Sequence, residues 1–340
     1  MDTNKIILNW YDSENRKLPW REPDKNIIDA YSVWISEIML QQTTVLVVIP
    51  YFQKFISRFP NINVLAKAEV EDVLGYWAGL GYYSRARNLH SCAKNIVENF
   101  NGVFPNKLEE LIKLPGIGDY TASAICAIAY NQLQVAVDVN VKRVISRLNN
   151  KHNLSSLIIK KLAKKILPSD RPGDFNEAIM DLGSKICKAK DPKCLICPIN
   201  KVCKTFRYNK SALINHNKDR AVNKKTIKYG NCYVIGRAID DKLFFIRRPN
   251  NGLLGGMLSF PSSLWVKDIN KIRSDKSYEN LFKNVNIKDC VQHTFSHFKL
   301  QLNIYNKNVD SDLNIDGEWI ELDEAIGKLP TLMKKVADTI

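Results

Sequence analysis

Four of the chain's eight cysteines, Cys187, Cys194, Cys197 and Cys203, fall within seventeen residues in the spacing Cys-x6-Cys-x2-Cys-x5-Cys. Thiolates are soft ligands suited to zinc or to iron–sulfur clusters. A structural zinc site usually joins two short Cys-x2-4-Cys pairs, and only one short pair is present. A ferredoxin-type run is tighter than this one. Because all four ligands come from one compact stretch, they can wrap a cubane without long-range folding. The spacing therefore favours an iron–sulfur cluster over zinc, with unmetallated thiols third. Lys185, Lys188, Lys190, Lys193, Lys201 and Lys204 surround the stretch and offset thiolate charge. Cys92, Cys126, Cys232 and Cys290 are scattered in apolar or strand-like contexts and read as small buried hydrophobes.

A second constellation involves two carboxylates and a turn. Pro115, Gly116 and Gly118 lie in Leu114-Pro-Gly-Ile-Gly-Asp-Tyr-Thr-Ala122, between helical patterns at Leu108–Lys113 and Thr121–Tyr130. The glycines permit a tight turn whose backbone N–H groups can point at a phosphate. The turn reads as a helix-hairpin-helix anchor over about residues 108–130, or as an ordinary helical hairpin. Twenty residues beyond Gly118 stands Asp138, just before a helical pattern and so a candidate N-cap. Glu37, flanked by Trp34, Ile35, Ile38 and Met39, reads either as a surface acid on an amphipathic helix or as a partly desolvated one. Burial raises a carboxyl pKa and suits an acid that must hold a proton near neutrality.

The elements that must position these groups follow from periodicity. Residues from 5 to about 185 read as helical, with apolar residues at helical spacing in Val45–Val48–Phe52–Phe55, Leu89–Ala93–Ile96, Ile125–Ile128 and Val141–Val144–Ile145–Leu148. Pro and Gly at the joints suggest about ten helices with short connections. From 206 to 228 the periodicity fades, and seven basic residues face the single acid Asp219, which predicts a basic linker. Strands follow at Cys232–Arg237 and Leu243–Arg247 around an Asp240–Asp241 turn, then at Phe298–Tyr305 and Glu318–Leu322. Helices are expected at Glu324–Leu329 and at Thr331–Ala337, with Thr331 as cap. The 340 residues thus predict two domains, helical over 1–205 and α+β over 229–340.

Composition narrows the function classes. Fifty Lys+Arg against 35 Asp+Glu give a formal charge of +15, which favours a polyanionic partner. No run of about 18 apolar residues predicts a membrane span. Residues 1–10 lack the pattern of a secretory signal, so a cytoplasmic protein is expected.

The cysteine spacing, in the stretch following Asn176, resembles the 4Fe-4S loop of the endonuclease III and MutY group of base-excision glycosylases, and the match spans roughly the first 205 residues. Ser36-Glu-Ile-Met-Leu-Gln-Gln-Thr43 resembles the MutY-type branch. The resemblance implies a helical barrel carrying the hairpin and one structural or redox 4Fe-4S cluster, followed by a smaller Nudix-like α+β domain. Glu37 would protonate adenine N7, and Asp138 would stabilise the oxocarbenium-like sugar. Val139 stands where the family usually has glycine, while Asn140 is retained. Endonuclease III-like enzymes place a nucleophilic lysine at the position held here by Tyr120, so the resemblance implies water-using, monofunctional chemistry assisted by the Tyr120 hydroxyl.

Gly79-Leu-Gly-Tyr-Tyr-Ser-Arg-Ala-Arg87 resembles the family's strand carrying a tyrosine wedge, which would be Tyr82, with Gln41 and Gln42 near the mismatch. Arg248–Pro261 and His293–Phe298 resemble the Nudix-like domain, whose loop, here Phe295, Ser296 and His297, senses 8-oxoguanine. After Pro261 there is no paired-glutamate box for magnesium, so this domain is expected to bind rather than cleave. The implied partner is duplex DNA bearing adenine opposite 8-oxoguanine or guanine, and the implied protein is a nucleoid-associated monomer. An endonuclease III-like pyrimidine glycosylase and a non-catalytic iron–sulfur DNA-binding protein are the competing readings.

Overall fold

The computed structural model describes residues 2–21, 29–208, 225–249, 252–295 and 297–340. The chain forms two compact units, one of residues 1–67 with 88–219 and the other of residues 68–87 with 220–340.

The first unit is helical. Its elements are α1 (Thr3–Glu14), α2 (Ala30–Leu40), α3 (Val45–Arg58), α4 (Ile62–Lys67) and most of α6 (Ser84–Phe100). They continue with α7 (Leu108–Leu111), α8 (Asp119–Ile128), α9 (Val139–Leu148), α10 (Ser156–Lys164), α11 (Pro172–Lys185) and α12 (Lys204–Tyr208). Local chemistry fixes the ends that matter. Asp29 caps α2 by accepting from the amides of Tyr31 and Ser32, both at 3.1 Å. Ser155 caps α10 through the Ile158 amide, and Pro172 opens α11, where its missing N–H costs nothing. From Tyr31 to Met39, α2 is buried on every face, so it is a central helix rather than an amphipathic surface one. It packs on α8, which packs on α11, which in turn packs on α9 and α1. The predicted stripes are found inside: Val48, Phe52 and Phe55, then Leu89, Ala93 and Ile96, then Val141, Val144, Ile145 and Leu148.

The second unit contains α5 (Val70–Trp77) and the strands β1 (Thr226–Arg237), β2 (Lys242–Arg247), β3 (Leu258–Ser259), β4 (Asp289–Thr294), β5 (Phe298–Val309) and β6 (Glu318–Ile320). Three helices follow or interleave them: α13 (Lys276–Leu281), α14 (Leu322–Ile326) and α15 (Thr331–Ala337). The sheet runs β3-β2-β1-β5-β4, with β6 pairing β2 beside β3. β1 and β5 are parallel from Thr226↔Phe298 to Arg237↔Val309, and the other pairings are antiparallel. A core of Tyr233, Ile235, Phe244, Tyr278 and Phe282 fills one face. The helix α5 joins this unit by close packing: a Cβ added at Gly75 would lie 2.9 Å from the Gly327 carbonyl oxygen. Glu71 accepts from Arg247 at 2.7 Å, and the Arg87 guanidinium donates to the Gly255 carbonyl.

Several expectations are revised. The β1–β2 hairpin forms around Asp240 and Asp241 as expected, but β1 begins at Thr226 and α12 runs to Tyr208. Both ends of the segment expected as linker therefore lie in regular elements. Strand β4 carried no usable alternation, since Val291 alone is buried in Asp289–Thr294, and Cys290 on it is exposed rather than a buried hydrophobe. Residues 79–83 form a glycine loop, not a strand, because Gly79, Gly81 and Tyr82 all take positive φ. Pro330 occupies the N-cap of α15, and Thr331, already inside the helix, makes no capping bond. Among the described residues, no helix is long and apolar enough to cross a membrane.

Candidate active site and cysteine centre

A cavity of about 970 Å³ opens in the first unit, lined by Glu37, Gln41, Gln42, Tyr120, Asp138, Val139 and Asn140. Trp20, Arg21, Glu177 and Met180 complete much of its wall. Six of the sequence-derived candidates thus share one space, brought there by three helices and their ends. Glu37 comes from the centre of α2. Gln41 ends that helix, and Gln42 follows in a left-handed conformation at φ 60°. Tyr120 rides in the first turn of α8, directly after the glycine turn. Asp138 and Asn140 sit at the start of α9.

Glu37 is 7% exposed. Burial pushes its carboxyl up to about 7; the Tyr120 hydroxyl bonds to it and opposes that rise, while the charges of Asp138 and Glu177 add to it. Burial likewise holds the Tyr120 hydroxyl protonated, reinforced by the neighbouring Glu37 and Asp138. The site pairs an acid able to retain its proton near neutrality with a neutral phenol.

Asp138 is held differently. One oxygen caps α9 by accepting from the Val141 amide at 2.7 Å, and the other accepts from Asn140 Nδ2 at 2.7 Å. Asn140 Oδ1 in turn accepts from Arg143 Nη2 at 2.7 Å, and Arg143 also donates to the carbonyls of Gly183 and Cys187, each at 2.7 Å. Asp138 is therefore fixed in orientation by its own helix and by a bonded path that reaches the first cysteine of the cluster stretch. Val139 is exposed, at the mouth of the cavity, and its φ is not positive, so the side chain demands no special backbone here.

Two wall residues were missed in sequence. Arg21 Nε donates to Glu177 Oε1 at 2.8 Å and its Nη1 to Asp181 Oδ2 at 2.8 Å, and Tyr11 closes the network on Glu177. Burial raises Glu177, with Arg21 opposing. Burial also opposes the charge on Asp181, yet Arg21 and Arg16 together hold it below the usual carboxylate range. A signal existed: Glu177 and Asp181 stand one helical turn apart within the apolar stretch Phe175–Leu182, where buried acids require a cation.

The hairpin candidates lie apart from the cavity lining. Gly116 has φ +76°, and a Cβ there would meet Asn88 Cβ at 2.8 Å, so this glycine is required twice over. Gly118 is the N-cap of α8, and Pro115 precedes the turn. Tyr82, Phe295 and His297 belong to the second unit; Ser296 lies outside the described residues. Tyr82 is 43% exposed and His297 is exposed. Phe295 stacks on Trp265 with ring centroids 5.6 Å apart and also packs on His293 and Phe298, so it anchors its loop.

The four clustered cysteines line one cavity with Val144, Arg147, Ile186, Ile199 and Phe206. Arg147 is 4% exposed and donates to Cys187 Sγ at 3.4 Å. Its Nε is buried without a partner among the described residues. A buried guanidinium against sulfur fits a site whose occupant carries negative charge. Among the described residues, no three His, Cys, Asp or Glu side chains converge on a single metal ion. Four thiols around one shared space make a soft donor set that suits zinc or an iron–sulfur cluster.

Comparison with known proteins agrees with this architecture. Residues 35–181 match the HhH-GPD superfamily of base excision DNA repair proteins, and residues 232–339 match the NUDIX domain. The helical fold is shared with a thermostable thymine-DNA glycosylase of known structure, at TM-score 0.56 and 28% identity over 60% of this chain and 94% of that one. Among curated proteins, the adenine DNA glycosylase of Buchnera aphidicola subsp. Baizongia pistaciae is 39% identical over 99% of this chain and 96% of its own length. The human adenine DNA glycosylase is 32% identical over 97% of this chain and 72% of its own. The chain belongs to the adenine DNA glycosylase family.

Proposed function

We propose that this chain hydrolyses the N-glycosidic bond of adenine mispaired with 8-oxoguanine, and more slowly of adenine opposite guanine. The observation that carries the reading is the convergence of Glu37, Tyr120 and Asp138 on one cavity, with Glu37 poised to hold a proton. Glu37 donates that proton to adenine N7, so the C1′–N9 bond breaks with its electron pair leaving on a neutral base. Asp138, fixed by Asn140 and the Val141 amide, stabilises the cationic sugar. Water then adds at C1′ and its proton passes to the Glu37 carboxylate, leaving an abasic site and restoring the acid. Tyr120 stands where a lyase would need an amine, which supports monofunctional hydrolysis over the endonuclease III-like alternative.

Cys187, Cys194, Cys197 and Cys203 would hold one 4Fe-4S cluster, whose role is structural or redox. Pro115, Gly116 and Gly118 would anchor a phosphate, Gln41, Gln42 and Tyr82 would meet the opened mismatch, and the loop of Phe295, Ser296 and His297 would read the 8-oxoguanine. A glycosylase role for the unit of residues 1–67 and 88–219 and a mismatch-reading role for the unit of residues 68–87 and 220–340 go with this reading. So do a monomeric enzyme and a place at the cytoplasmic nucleoid.

The test is single-turnover release of adenine from duplexes carrying adenine opposite each normal base and opposite 8-oxoguanine. The parent should prefer 8-oxoguanine, then guanine, and Glu37→Gln should still bind the duplex while release collapses. Release by that variant at the parent rate would overturn the acid assignment, and strand cleavage by the parent would favour a lyase. The purified protein should be coloured and contain iron and sulfide in equal amounts; a colourless zinc protein would overturn the cluster.

A further inference from the structure

Tyr82 occupies an unfavourable backbone conformation. Its φ is 51°, a left-handed value that aromatic residues rarely adopt, and it follows Gly79 at φ 108° and Gly81 at φ 71°. Such a conformation persists only where its surroundings over-determine it. Here the surroundings are two buried side chains. Trp77, the last residue of α5, is fully buried and donates its indole N–H to the Gly81 carbonyl at 3.2 Å. Arg85, in the first turn of α6, is 9% exposed, and its Nη2 reaches the Gly81 carbonyl at 3.2 Å and the Leu80 carbonyl at 3.3 Å. The same guanidinium carbon lies 5.4 Å from the Trp77 ring centroid and 5.5 Å from that of Tyr82. The cation thus sits against two aromatic rings while its donors pin the two carbonyls that precede the strained residue. The Arg85 amide donates to the Tyr82 carbonyl at 2.8 Å, so the same residue also ties Tyr82 to the start of α6.

We propose that Arg85 is a positioning residue for the wedge: it holds the Leu80–Gly81 carbonyls and the Tyr82 ring so that Tyr82 stands ready before DNA arrives. The inference rests on the wedge reading of Tyr82 given above. Without the guanidinium, the loop relaxes toward ordinary φ values, the ring loses its platform, and ordering it again is charged to the base-opening step. A lysine can supply charge to the rings but not the flat guanidinium, whose Nη2 reaches both carbonyls while its carbon stands within 5.5 Å of both ring centroids. Arg85 has no place in bond cleavage, so its effect should vanish where the base is already unstacked.

The experiment measures single-turnover adenine release by the full chain from two adenine:8-oxoguanine duplexes, one with matched flanks and one with mismatched neighbouring pairs. Fluorescence of 2-aminopurine beside the 8-oxoguanine reports unstacking. Arg85→Met should slow release from the matched duplex by about tenfold or more, blunt the fluorescence rise, and cost no more than about threefold on the mismatched duplex. Arg85→Lys should fall between the parent and Arg85→Met. In a Tyr82→Ala background, Arg85→Met should add nothing. Equal slowing on both duplexes, or a full further loss on top of Tyr82→Ala, would overturn the positioning role in favour of general support of the fold. If Arg85→Met does not fold by circular dichroism, the same comparisons are read on Arg85→Lys. Release by Tyr82→Ala at the parent rate would instead remove the wedge reading, and Arg85's role with it. A parent that releases no adenine would remove the function on which both stand.

Discussion

At the residue scale, the site depends on two carboxylates given opposite surroundings. Glu37 is walled by apolar groups and a phenol, so its carboxyl titrates at about 7 rather than at the ordinary 4.5. An acid that must be protonated loses activity as pH rises through that value, so single-turnover release should fall about tenfold per pH unit above roughly 7. Stability moves with it. Below 4.5 the folded and unfolded chains both hold the proton. Between 4.5 and 7 only the folded chain does, so stability drains as pH rises, and above 7 the deficit is constant. Glu37→Gln should therefore stabilise the protein at pH 8, by on the order of 2–3 kcal/mol, and do almost nothing at pH 4. Thermal melting at both pH values checks the sign; equal gains at both would mean the burial penalty is not ionic. The apolar neighbours of Glu37 in the sequence left a surface acid and a desolvated one both open, and the burial of α2 decides for the latter. The sequence could not show that Tyr120 and Asp138 would share the cavity, because they lie 83 and 101 residues farther along the chain.

At the element scale, the decisive contact is the approach of α11 to α9. Gly183 on α11 has no room for a side chain: an added Cβ would lie 2.6 Å from Asn140 Cβ and 3.2 Å from the Asn140 carbonyl oxygen. In an exposed helix, Gly→Ala stabilises by up to about 1 kcal/mol. Here the clash is with the root of Asn140, so Gly183→Ala should instead destabilise by about 1–3 kcal/mol and displace the residue that orients Asp138. Adenine release should drop more than duplex binding does, and wild-type release by this variant would show that α9 can move without cost. The same contact lets Arg143 reach both Gly183 and Cys187, so the cysteine stretch and Asp138 share one support. Periodicity predicted α9, and the helical reading of residues 5 to about 185 covered α11, but neither gave their separation, since a glycine in a helix reads only as a weak propensity.

At the scale of the whole molecule, the chain does not divide where its sequence changes character. Residues 68–87 lie inside the helical half of the sequence yet pack within the second unit, through Gly75 against Gly327, Glu71 with Arg247 and Arg87 with Gly255. Removing residues 225–340 should leave α5 and the Tyr82 loop without these partners. Amide hydrogen exchange over 68–87 should then accelerate while the α2 and α8 amides stay protected. Uniform protection in the truncated chain would show that the segment is held by the helical unit alone. The formal charge of +15 adds a second expectation: duplex affinity should fall steeply and log-linearly with salt, as counterion release requires.

What the sequence by itself determined was chemistry that is local in the chain. The cysteine spacing, the glycine turn, the Asp138 cap and the period of each helix depend on neighbours within a few residues, and all of them are found in place. Tertiary structure decided what depends on distant partners. It set the buried network of Arg21, Glu177 and Asp181, the edge strand β4 with its exposed Cys290, and the clamp of Trp77 and Arg85 on the Tyr82 loop. It also assigned residues 68–87 to the second unit. Desolvation, close backbone approach and a left-handed tyrosine are each fixed by what packs against them, and packing partners tens to hundreds of residues away leave no local trace.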